Sequence, residues 1–300
     1  MAVQLESPYE GAGNIWLRGN LHTHTRLSDG SVLPQTMILA YAAHRYDFLA
    51  ISDHDVLPLA ADAVNDCGMI LLPAMEISAN GCAHMLCIGS CANIRQPSTS
   101  QQKIDDISKE GGLAILCHPN SGENFDHYPW KLLNMLSGYT GLEIFNGLAM
   151  ETPGSHLAVD KWDRVLSTGR MVWGFANDDA HAPDEVVRGW NMVLVRERTP
   201  EAILAALRRG SFYASSGVVI DKIDCSGARL RIRTTNAQSI ALFGLSGTRV
   251  HVVEGPDLTF NVSGFMDPYL RAECYGRGGT MAWTQPIRVR GGTRKSLRVA

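Results

Sequence analysis

The sequence predicts an α/β fold followed by a small antiparallel β-module. Apolar runs of strand length alternate with helical patterns over residues 1–217 of the 300-residue chain, which is typical of a mostly parallel sheet or a barrel. From residue 218 onward, short strand-like runs are separated by Gly, Asn and Pro without a helical period. Histidines and carboxylates recur directly after the predicted strands. Because parallel α/β folds carry their functional sites at the carboxyl ends of the strands, these side chains are expected to converge.

The first region, residues 1–217, is predicted to contain strands and helices in alternation. The predicted strands are residues 15–21, 47–51, 69–72, 75–77, 83–88, 113–117, 139–145 and 171–175. The predicted helices are residues 32–44, 57–65, 101–110, 156–168 and 200–208. Proline in the first turn supports the first and last of these helices, and glycine directly after the final residues supports the ends of the third and fourth.

The second region, residues 218–300, is predicted to form a β-sandwich-like module. Its predicted strands are residues 219–223, 230–234, 239–243, 249–253, 258–262 and 270–274. Six aromatic side chains are expected in its core: Phe243, Phe260, Phe265, Tyr269, Tyr275 and Trp283. We predict no catalytic residue in this region. Its apolar alternation suits packing against the first region or against a second protomer, so a homodimer is one interpretation.

The composition argues against several classes of function. A formal net charge of −3 gives no general attraction for nucleic acid or a membrane surface, and neither is predicted as a main partner. No apolar run is long enough to cross a membrane, and residues 1–9 lack the features of a signal peptide. Seven cysteines are an odd number, and four of them lie in or beside apolar strands: Cys82, Cys87, Cys91 and Cys117. We predict reduced, buried thiols and a cytoplasmic protein.

The first predicted strand runs directly into His22-Thr23-His24, and Asp29 follows on a turn that ends at Gly30. Side chains two residues apart on a strand point to the same face. His22 and His24 are therefore expected to share one face, with a carboxylate close by. Two imidazoles and a carboxylate at the end of a strand are typical of a metal site; two surface histidines are the alternative.

Six histidines and three carboxylates occupy comparable positions at the ends of the predicted strands. They are His22, His24, Asp29, His54, Glu76, His84, His118, Asp179 and His181. Imidazole nitrogen and carboxylate oxygen are ligands of zinc and related divalent ions. Taken singly, His54 also suits a capping turn and His84 a buried core histidine. Their joint occurrence favours a metal cluster, because nine ligands are too many for one tetrahedral ion.

These blocks resemble the PHP (polymerase and histidinol phosphatase) family over about residues 17–215. The segment 207–217 further resembles the branch that contains the CehA/McbA-type metallohydrolases. The resemblance implies a distorted (β/α)7 barrel with three divalent ions of manganese, zinc or iron. It implies one ion at His22, His24, Glu76 and Asp179, and a second at Glu76, His84 and His118. It implies a third ion at Asp29, His54 and His181.

The predicted function is a metal-dependent phosphoesterase that hydrolyses a small phosphorylated metabolite or nucleotide by attack of a metal-bridged hydroxide. Glu76, Asp179 and His181 are the predicted catalytic residues. Arg26, Arg188 and Asn146 are predicted to bind this small-molecule phosphorylated substrate, since a guanidinium pairs well with phosphate. Surface salt bridges are the alternative for the two arginines.

Two other functions remain open from the sequence. A metal-dependent ester, carbamate or amide hydrolase would use the same metal site, and a non-catalytic metal-containing binding module would retain it without chemistry. Asp53 and Asp55 flank His54 and are predicted to fix its tautomer. The other four histidines are interpreted as solvated or structural: His44, His127, His156 and His251.

Overall fold

In the computed structural model, which describes residues 3–58, 67–81, 83–91 and 99–291, nineteen strands form three sheets. The strands are β1 (Gln4–Glu6), β2 (Ile15–Asn20), β3 (Phe48–Ala50), β4 (Ile70–Leu72), β5 (Ala74–Ile77), β6 (Met85–Ile88), β7 (Leu113–Leu116), β8 (Gly141–Asn146), β9 (Trp173–Asn177), β10 (Trp190–Val195), β11 (Phe212–Ser215), β12 (Ile220–Ser226), β13 (Arg229–Thr234), β14 (Ser239–Phe243), β15 (Arg249–Glu254), β16 (Asp257–Asn261), β17 (Tyr269–Tyr275), β18 (Met281–Thr284) and β19 (Ile287–Arg290). The α-helices are α1 (Pro34–Ala43), α2 (Ser100–Lys109), α3 (Trp130–Met135), α4 (Val159–Ser167) and α5 (Pro200–Arg209).

The helices of the first region begin and end where the sequence chemistry favours it. Pro34 and Pro200 each lie in a first helical turn, where the missing amide hydrogen costs nothing. The Thr199 side chain caps α5 by accepting from the amide of Ala202. Gly210 ends the same helix in the left-handed conformation, with φ of 82°, which glycine adopts without strain. The predicted helix 57–65 lies almost entirely outside the described residues.

The strands that carry the site belong to two sheets. In the larger sheet β2, β3 and β4 are parallel, and β10 pairs antiparallel with β2. In the five-stranded sheet β7, β8 and β9 are parallel, whereas β5, β6 and β7 are successively antiparallel. The first region is therefore a mixed α/β structure, as predicted, with more antiparallel pairing than its alternating pattern indicated.

Among the described strands, hydrogen-bonded pairing does not close a barrel. Pro73, which has no amide hydrogen, separates β4 of one sheet from β5 of the next. On the other side, the side chain of Asn191 in β10 bonds to both backbone polar groups of Ala176 in β9. The amide of Asn191 thus bridges the gap between β9 and β10 where no strand pairing is found. The (β/α)7 barrel stays a prediction.

The second region forms two packed sheets that share an apolar core. Strands β12, β13 and β16 make a three-stranded sheet, and its residues Leu230, Ile232 and Leu258 pack with Ile240 and Leu270 of the larger sheet. That larger sheet is continuous with the first region, because β18 pairs with β11 and β11 pairs with β10. The domain boundary at 217/218 stays a prediction, and the two regions share one sheet across it.

A buried ion-pair cluster also joins the two regions. The Arg271 guanidinium in β17 bonds both carboxylate oxygens of Asp163 in α4, at 2.6 and 2.7 Å, and it also bonds Glu273. The guanidinium lies over the rings of Trp162 and Phe243. Removing one member of such a buried pair leaves an uncompensated charge, which is strongly destabilising.

The cysteine prediction is wrong for one pair. Cys87 at the end of β6 and Cys91 form a disulfide, because the turn between them brings their Cα atoms to 5.9 Å. Cys117 is a buried free thiol, as predicted, whereas Cys82 lies outside the described residues. Among the helices of the described part, none has the length and apolarity needed to cross a membrane.

Candidate metal centre

The site begins where β2 ends. The chain leaves the sheet after Asn20, and a parallel bridge between Thr23 and Ala180 ties it to the segment that follows β9. The backbone amide of His24 donates to the carbonyl of Ala180 at 2.8 Å, and that of Asp179 donates to the carbonyl of His22 at 3.0 Å. These bonds bring two segments more than 150 residues apart in the chain into fixed register.

Four ligand-type atoms face one another in a closed group, three from this junction and one from Glu76 in β5. His22 Nε2 lies 3.3 Å from Glu76 Oε2 and 3.2 Å from Asp179 Oδ1. His24 Nε2 lies 3.3 Å from the same Glu76 oxygen and 3.2 Å from the same Asp179 oxygen. All four residues are buried. We call these residues the buried group.

The spacing of the buried group fits a tetrahedral divalent ion. Ligand atoms about 2.0–2.1 Å from a tetrahedral ion lie about 3.3–3.4 Å from one another, close to the observed separations. The Nε2 atoms of His22 and His24 are buried and have no hydrogen-bond partner among the described residues. Buried polar atoms in proteins normally have partners, so their orphaned state is explained if these nitrogens are metal ligands.

A second group forms around the other oxygen of Glu76. Glu76 Oε1 lies 3.1 Å from His84 Nδ1 and 3.4 Å from His118 Nε2. His118 follows β7 and His84 directly precedes β6, and the amide of Cys117 bonds the carbonyl of His84. Glu76 therefore presents one oxygen to the buried group and the other to the second group, as a bridging carboxylate would.

A third group forms around Asp29 and is more open to solvent. Asp29 Oδ2 lies 3.5 Å from His54 Nε2 and 3.3 Å from His181 Nε2. The Asp29 side chain is 51% exposed, and those of His54 and His181 are each 24% exposed. We call these three residues the exposed group. The structure thus brings together all nine side chains that the sequence singled out.

Glu143, in the middle of β8, is a site residue that the sequence analysis missed. Its Oε1 accepts from His22 Nδ1 at 2.8 Å, and its Oε2 accepts from the backbone amide of His118 at 2.8 Å. Asn146 and Asn177 each donate a further hydrogen bond to it. Because the Nδ1–H group of His22 donates a hydrogen bond to Glu143, the Nε2 atom of His22 has a free lone pair for a metal.

His127 is a second residue of the site that the sequence analysis missed: it was interpreted as solvated or structural, and the structure places it beside the second group. Its ring lies 4.9 Å from the ring of His84 and 4.5 Å from that of His118. Burial lowers the pKa of His127 to about 3, and the neighbouring His118 and His84 add to this effect. No local pattern indicated this placement, because His127 lies in a loop.

The electrostatics of the buried group favour a cation at its centre. Burial lowers the pKa of His22 and His24, but Asp179 and Glu76 outweigh it; the pKa of His22 is raised well above its ordinary value and that of His24 to about 9. Burial raises the pKa of Glu76 and Asp179, but the imidazoles outweigh it and hold both well below their usual range. A divalent cation would supply positive charge that stabilises the ionised carboxylates of Glu76 and Asp179.

Backbone strain is found at two of the nine residues. His118 has a φ of 28° and Asp179 a φ of 55°. Residues other than glycine rarely adopt positive φ, and such strain clusters at functional sites where the surroundings impose it. Here the surroundings include Glu143, which binds the amide of His118, and His22, whose carbonyl binds the amide of Asp179.

The three predicted substrate-binding residues have different surroundings. Arg26 is exposed, and its Nε donates to the carbonyl of Ser31. Arg188 pairs with Glu151 at 2.7 Å and donates to the carbonyl of Gly147. Asn146 is buried, and its amide group donates to Glu143 and to Asp179 Oδ2 at 3.1 Å. Direct substrate contact by Asn146 is therefore disfavoured, because both of its amide hydrogens are used.

The two aspartates beside His54 do not act on its tautomer as predicted. Asp53 accepts from the amides of Thr25 and Ser28 and from both of their hydroxyls. Asp55 accepts from Ser78 and from the amide of Ala79. Asp53 thus holds the loop that carries Asp29, and Asp55 holds the loop that follows β5.

Comparison with known proteins shows similarity to PHP proteins over part of the chain. The model of a family described as PHP-associated matches residues 170–212, a segment that includes β9, Asp179, His181 and α5. This match supports the resemblance to the PHP family. Over 64 residues it is also 38% identical to the 5'-3' exoribonuclease Rnm of Salmonella typhimurium, and this match covers 20% of the present chain and 22% of that relative. The matched part thus spans about a fifth of the relative's length.

One solved structure shares its fold with this chain over nearly the whole length. A two-domain protein from Bacteroides vulgatus, described as containing a predicted PHP-like metal-dependent phosphoesterase, superposes with a TM-score of 0.52 at 17% identity. The superposition covers 99% of the present chain and 91% of that protein, so the likeness extends over both regions. The lesion-specific endonuclease PfuEndoQ of Pyrococcus furiosus superposes with a TM-score of 0.49 at 18% identity, covering 65% of the present chain and 56% of that one. The CehA/McbA branch stays a prediction.

Proposed function

We propose that the protein is a metal-dependent phosphoesterase with three divalent ions, of manganese, zinc or iron. The observation that carries this proposal is the buried group, in which two imidazole nitrogens and two carboxylate oxygens lie 3.2–3.3 Å apart with both nitrogens orphaned. The buried group would hold one ion. The second group, at Glu76 Oε1, would hold another, and the exposed group would hold a third.

Divalent ions at these positions would polarise a phosphoryl oxygen and lower the pKa of a bound water. The residues of the chain have distinct parts in this proposal. Glu76 links two groups through its two oxygens, and Glu143 fixes the tautomer of His22. Asp179 and His181 lie at the junction of the buried and exposed groups, where they would orient a substrate. Solvent reaches the exposed group and also His84 of the second group, whose side chain is 31% exposed, so a substrate would enter from this side of the site.

A small phosphorylated metabolite or a nucleotide is the first substrate class. Phosphate carries charge that a cluster of cations would stabilise. Arg188 would bind such a substrate by exchanging its partner Glu151, whose side chain is 60% exposed, for a phosphate. A guanidinium accepts this exchange readily, because carboxylate and phosphate have similar spacing of their oxygens. Arg26, on the loop between His24 and Asp29, would contribute a second cation.

A short oligonucleotide is the second substrate class. The similarity to an exoribonuclease over 64 residues favours a phosphodiester bond in RNA. The same three groups would serve both classes, because water attacks phosphorus in each; a phosphodiester differs from a phosphomonoester in its second ester substituent and its lower charge. Distinguishing the two requires substrates that differ only in that respect.

The proposal is tested by metal reconstitution and a substrate panel. The chain, purified with a chelator and reloaded separately with manganese, zinc or iron(II), is assayed on p-nitrophenyl phosphate, bis-p-nitrophenyl phosphate, a 5'-phosphorylated RNA dinucleotide and an aryl carbamate. We expect metal-dependent release of product from at least one phosphate compound. Elemental analysis of each preparation gives the number of ions per chain.

Each alternative has its own signature in this panel. Turnover of the aryl carbamate, with no turnover of any phosphate compound, would make the protein an ester, carbamate or amide hydrolase. No turnover of any compound by a fully metal-loaded protein would favour a binding module. Hydrolysis of a phosphate compound that persists unchanged in strong chelator, with no bound metal, would reject the metal mechanism.

A further inference from the structure

The backbone of His84 is held by two consecutive side chains of a neighbouring loop. His127 Nε2 accepts a hydrogen bond from the backbone amide of His84 at 2.8 Å. The hydroxyl of Tyr128 donates to the backbone carbonyl of His84 at 2.7 Å. The loop itself is closed by hydrogen bonds from the amide of His127 to Ser121 and from that of Tyr128 to Pro119. Loop 119–128 is thereby fixed to the residue that begins the second group.

The hydrogen bond from His84 determines the tautomer of His127. A backbone N–H is always a donor, so the nitrogen that accepts from it, Nε2, carries no proton. A neutral imidazole has one ring proton, which must then lie on Nδ1. Neither nitrogen of His127 has a free lone pair in this arrangement. His127 is thus no metal ligand as placed, although one nitrogen of each of His84, His118 and His127 lies within 4.8 Å of the others.

The Nδ1–H group of His127 is an unused donor at the rim of the second group. Within the described residues it has no hydrogen-bond partner, and it is not buried, in contrast to His118 Nδ1. The imidazole packs nearly perpendicular to that of His84, with an interplanar angle of 87°, and lies against that of His118. The ring is held from the side of its acceptor nitrogen, and the residue as a whole is only partly buried.

We propose that His127 donates its Nδ1–H to an oxygen of the substrate phosphoryl group at the second group, and that it contributes to phosphate recognition. This inference rests on the proposed phosphoesterase function. The proton remains on Nδ1 throughout, so His127 acts as a fixed donor and not as an acid. A preorganised donor aimed at a phosphoryl oxygen costs no reorganisation when charge develops there, and hydrogen bonds to charged oxygens are the stronger kind.

Two substitutions test the roles of the two ring nitrogens of His127 separately. His127→Gln can place an acceptor oxygen near the position of Nε2 and keep the bond from His84, but it removes the Nδ1 donor. His127→Asn can place an amide donor near the position of Nδ1, but it removes the Nε2 acceptor. His44→Gln, at an exposed position after α1, is the matched control for the substitution itself.

The measurement is binding of inorganic phosphate to the metal-loaded full chain by calorimetry, with metal content determined on the same samples. We expect His127→Gln to weaken phosphate binding by about 10- to 100-fold, the size of a lost hydrogen bond to a charged group, with metal content unchanged. We expect His127→Asn to bind phosphate within about threefold of the wild type once metal is saturating, because its donor is retained. Nitrogen NMR of the imidazoles is expected to show Nδ1 of His127 protonated and Nε2 bare.

Several results would overturn the inference. The first is that His127→Gln binds phosphate as tightly as the wild type. The second is that this variant loses an ion at saturating metal. The third is an NMR spectrum in which Nε2 of His127 carries the proton. Failure of the proposed function is separate, because phosphate binding requires no turnover. If the wild type hydrolyses no phosphoester but binds phosphate through His127, only the proposed function fails. If hydrolysis proceeds and His127→Gln leaves both phosphate affinity and kcat/KM unchanged, only the present inference fails.

Discussion

The buried group and the exposed group are built from the same residue types but are supported differently. In the buried group, His22 is oriented by Glu143, which is itself bound by the amide of His118 and by two asparagines. In the exposed group, Asp29 accepts one direct hydrogen bond, from the Ser28 hydroxyl at 3.0 Å. Asp53 supports the loop of Asp29 by accepting from Thr25 and Ser28.

This difference in support predicts which of the proposed ions the protein would bind most tightly. Supporting hydrogen bonds orient metal ligands and raise metal affinity, and buried charges interact more strongly than solvated ones. We therefore expect an ion in the buried group to resist exchange. An ion in the exposed group should exchange readily, at a side chain that is half exposed. Each of the following predictions changes one residue, beginning with Glu76, which contacts the most candidate ligands.

Replacing Glu76 should have the largest effect, because its two oxygens belong to two groups. Glu76→Gln keeps the shape of the side chain and removes the charge that faces five imidazoles. We expect hydrolysis to fall at least about 1,000-fold, since several kcal/mol of charge stabilisation is lost with the ions. Elemental analysis should show fewer ions per chain. Wild-type metal content and activity would show that Glu76 is not a bridging ligand.

Glu143→Gln should weaken the buried group without touching a metal directly. Glutamine cannot accept from His22 Nδ1 and from three other donors as a carboxylate does, so the tautomer of His22 is no longer fixed. We expect metal affinity to fall by about 10- to 100-fold, as for other residues that orient ligands, with activity restored at high metal concentration. Glu273→Gln, a similarly buried carboxylate of the Arg271 cluster, should leave metal affinity unchanged. Equal effects of both changes would mean that Glu143 acts through stability alone.

The sequence located the nine candidate ligands because each lies within or a few residues from the end of an apolar run, and strand ends converge in α/β folds. Glu143 was missed although it stands within the predicted strand 139–145, where an unpaired charge would be costly and therefore signals a partner. The antiparallel order of β5 and β6 was also readable, since the residues between Ile77 and Met85 are too few for a parallel crossover. The position of His127 could not be predicted from the sequence, because the path of loop 119–128 depends on tertiary contacts with His84.

Asp29→Asn should affect mainly the exposed group, although Asp29 Oδ1 also lies 3.4 Å from His24 Nδ1 of the buried group. The substitution removes the one carboxylate that faces His54 Nε2 and His181 Nε2, while the buried group keeps both of its carboxylates. We expect about one ion fewer per chain and a loss of activity of about tenfold, smaller than for Glu76 because the remaining ions are retained. Asp184→Asn, at an exposed aspartate in the following loop, is the control. Complete loss of all bound metal would show that the three groups are filled cooperatively.

Asp53→Asn should have the smallest effect on hydrolysis, but it should lower the stability of the fold and loosen the loop that carries Asp29. Asp53 is buried and accepts four hydrogen bonds from Thr25 and Ser28, and an amide at this position leaves some of these donors unpaired. We expect a loss of about 1–3 kcal/mol in the free energy of unfolding, measured in denaturant, and a few-fold weaker retention of the exchangeable ion. The neighbouring Asp55→Asn also removes a carboxylate beside His54, but its partners, Ser78 and Ala79, lie on another loop. If the two variants lose the exchangeable ion equally, the hydrogen bonds of Asp53 do not hold Asp29 in place, and the support of the exposed group must come from His54 itself.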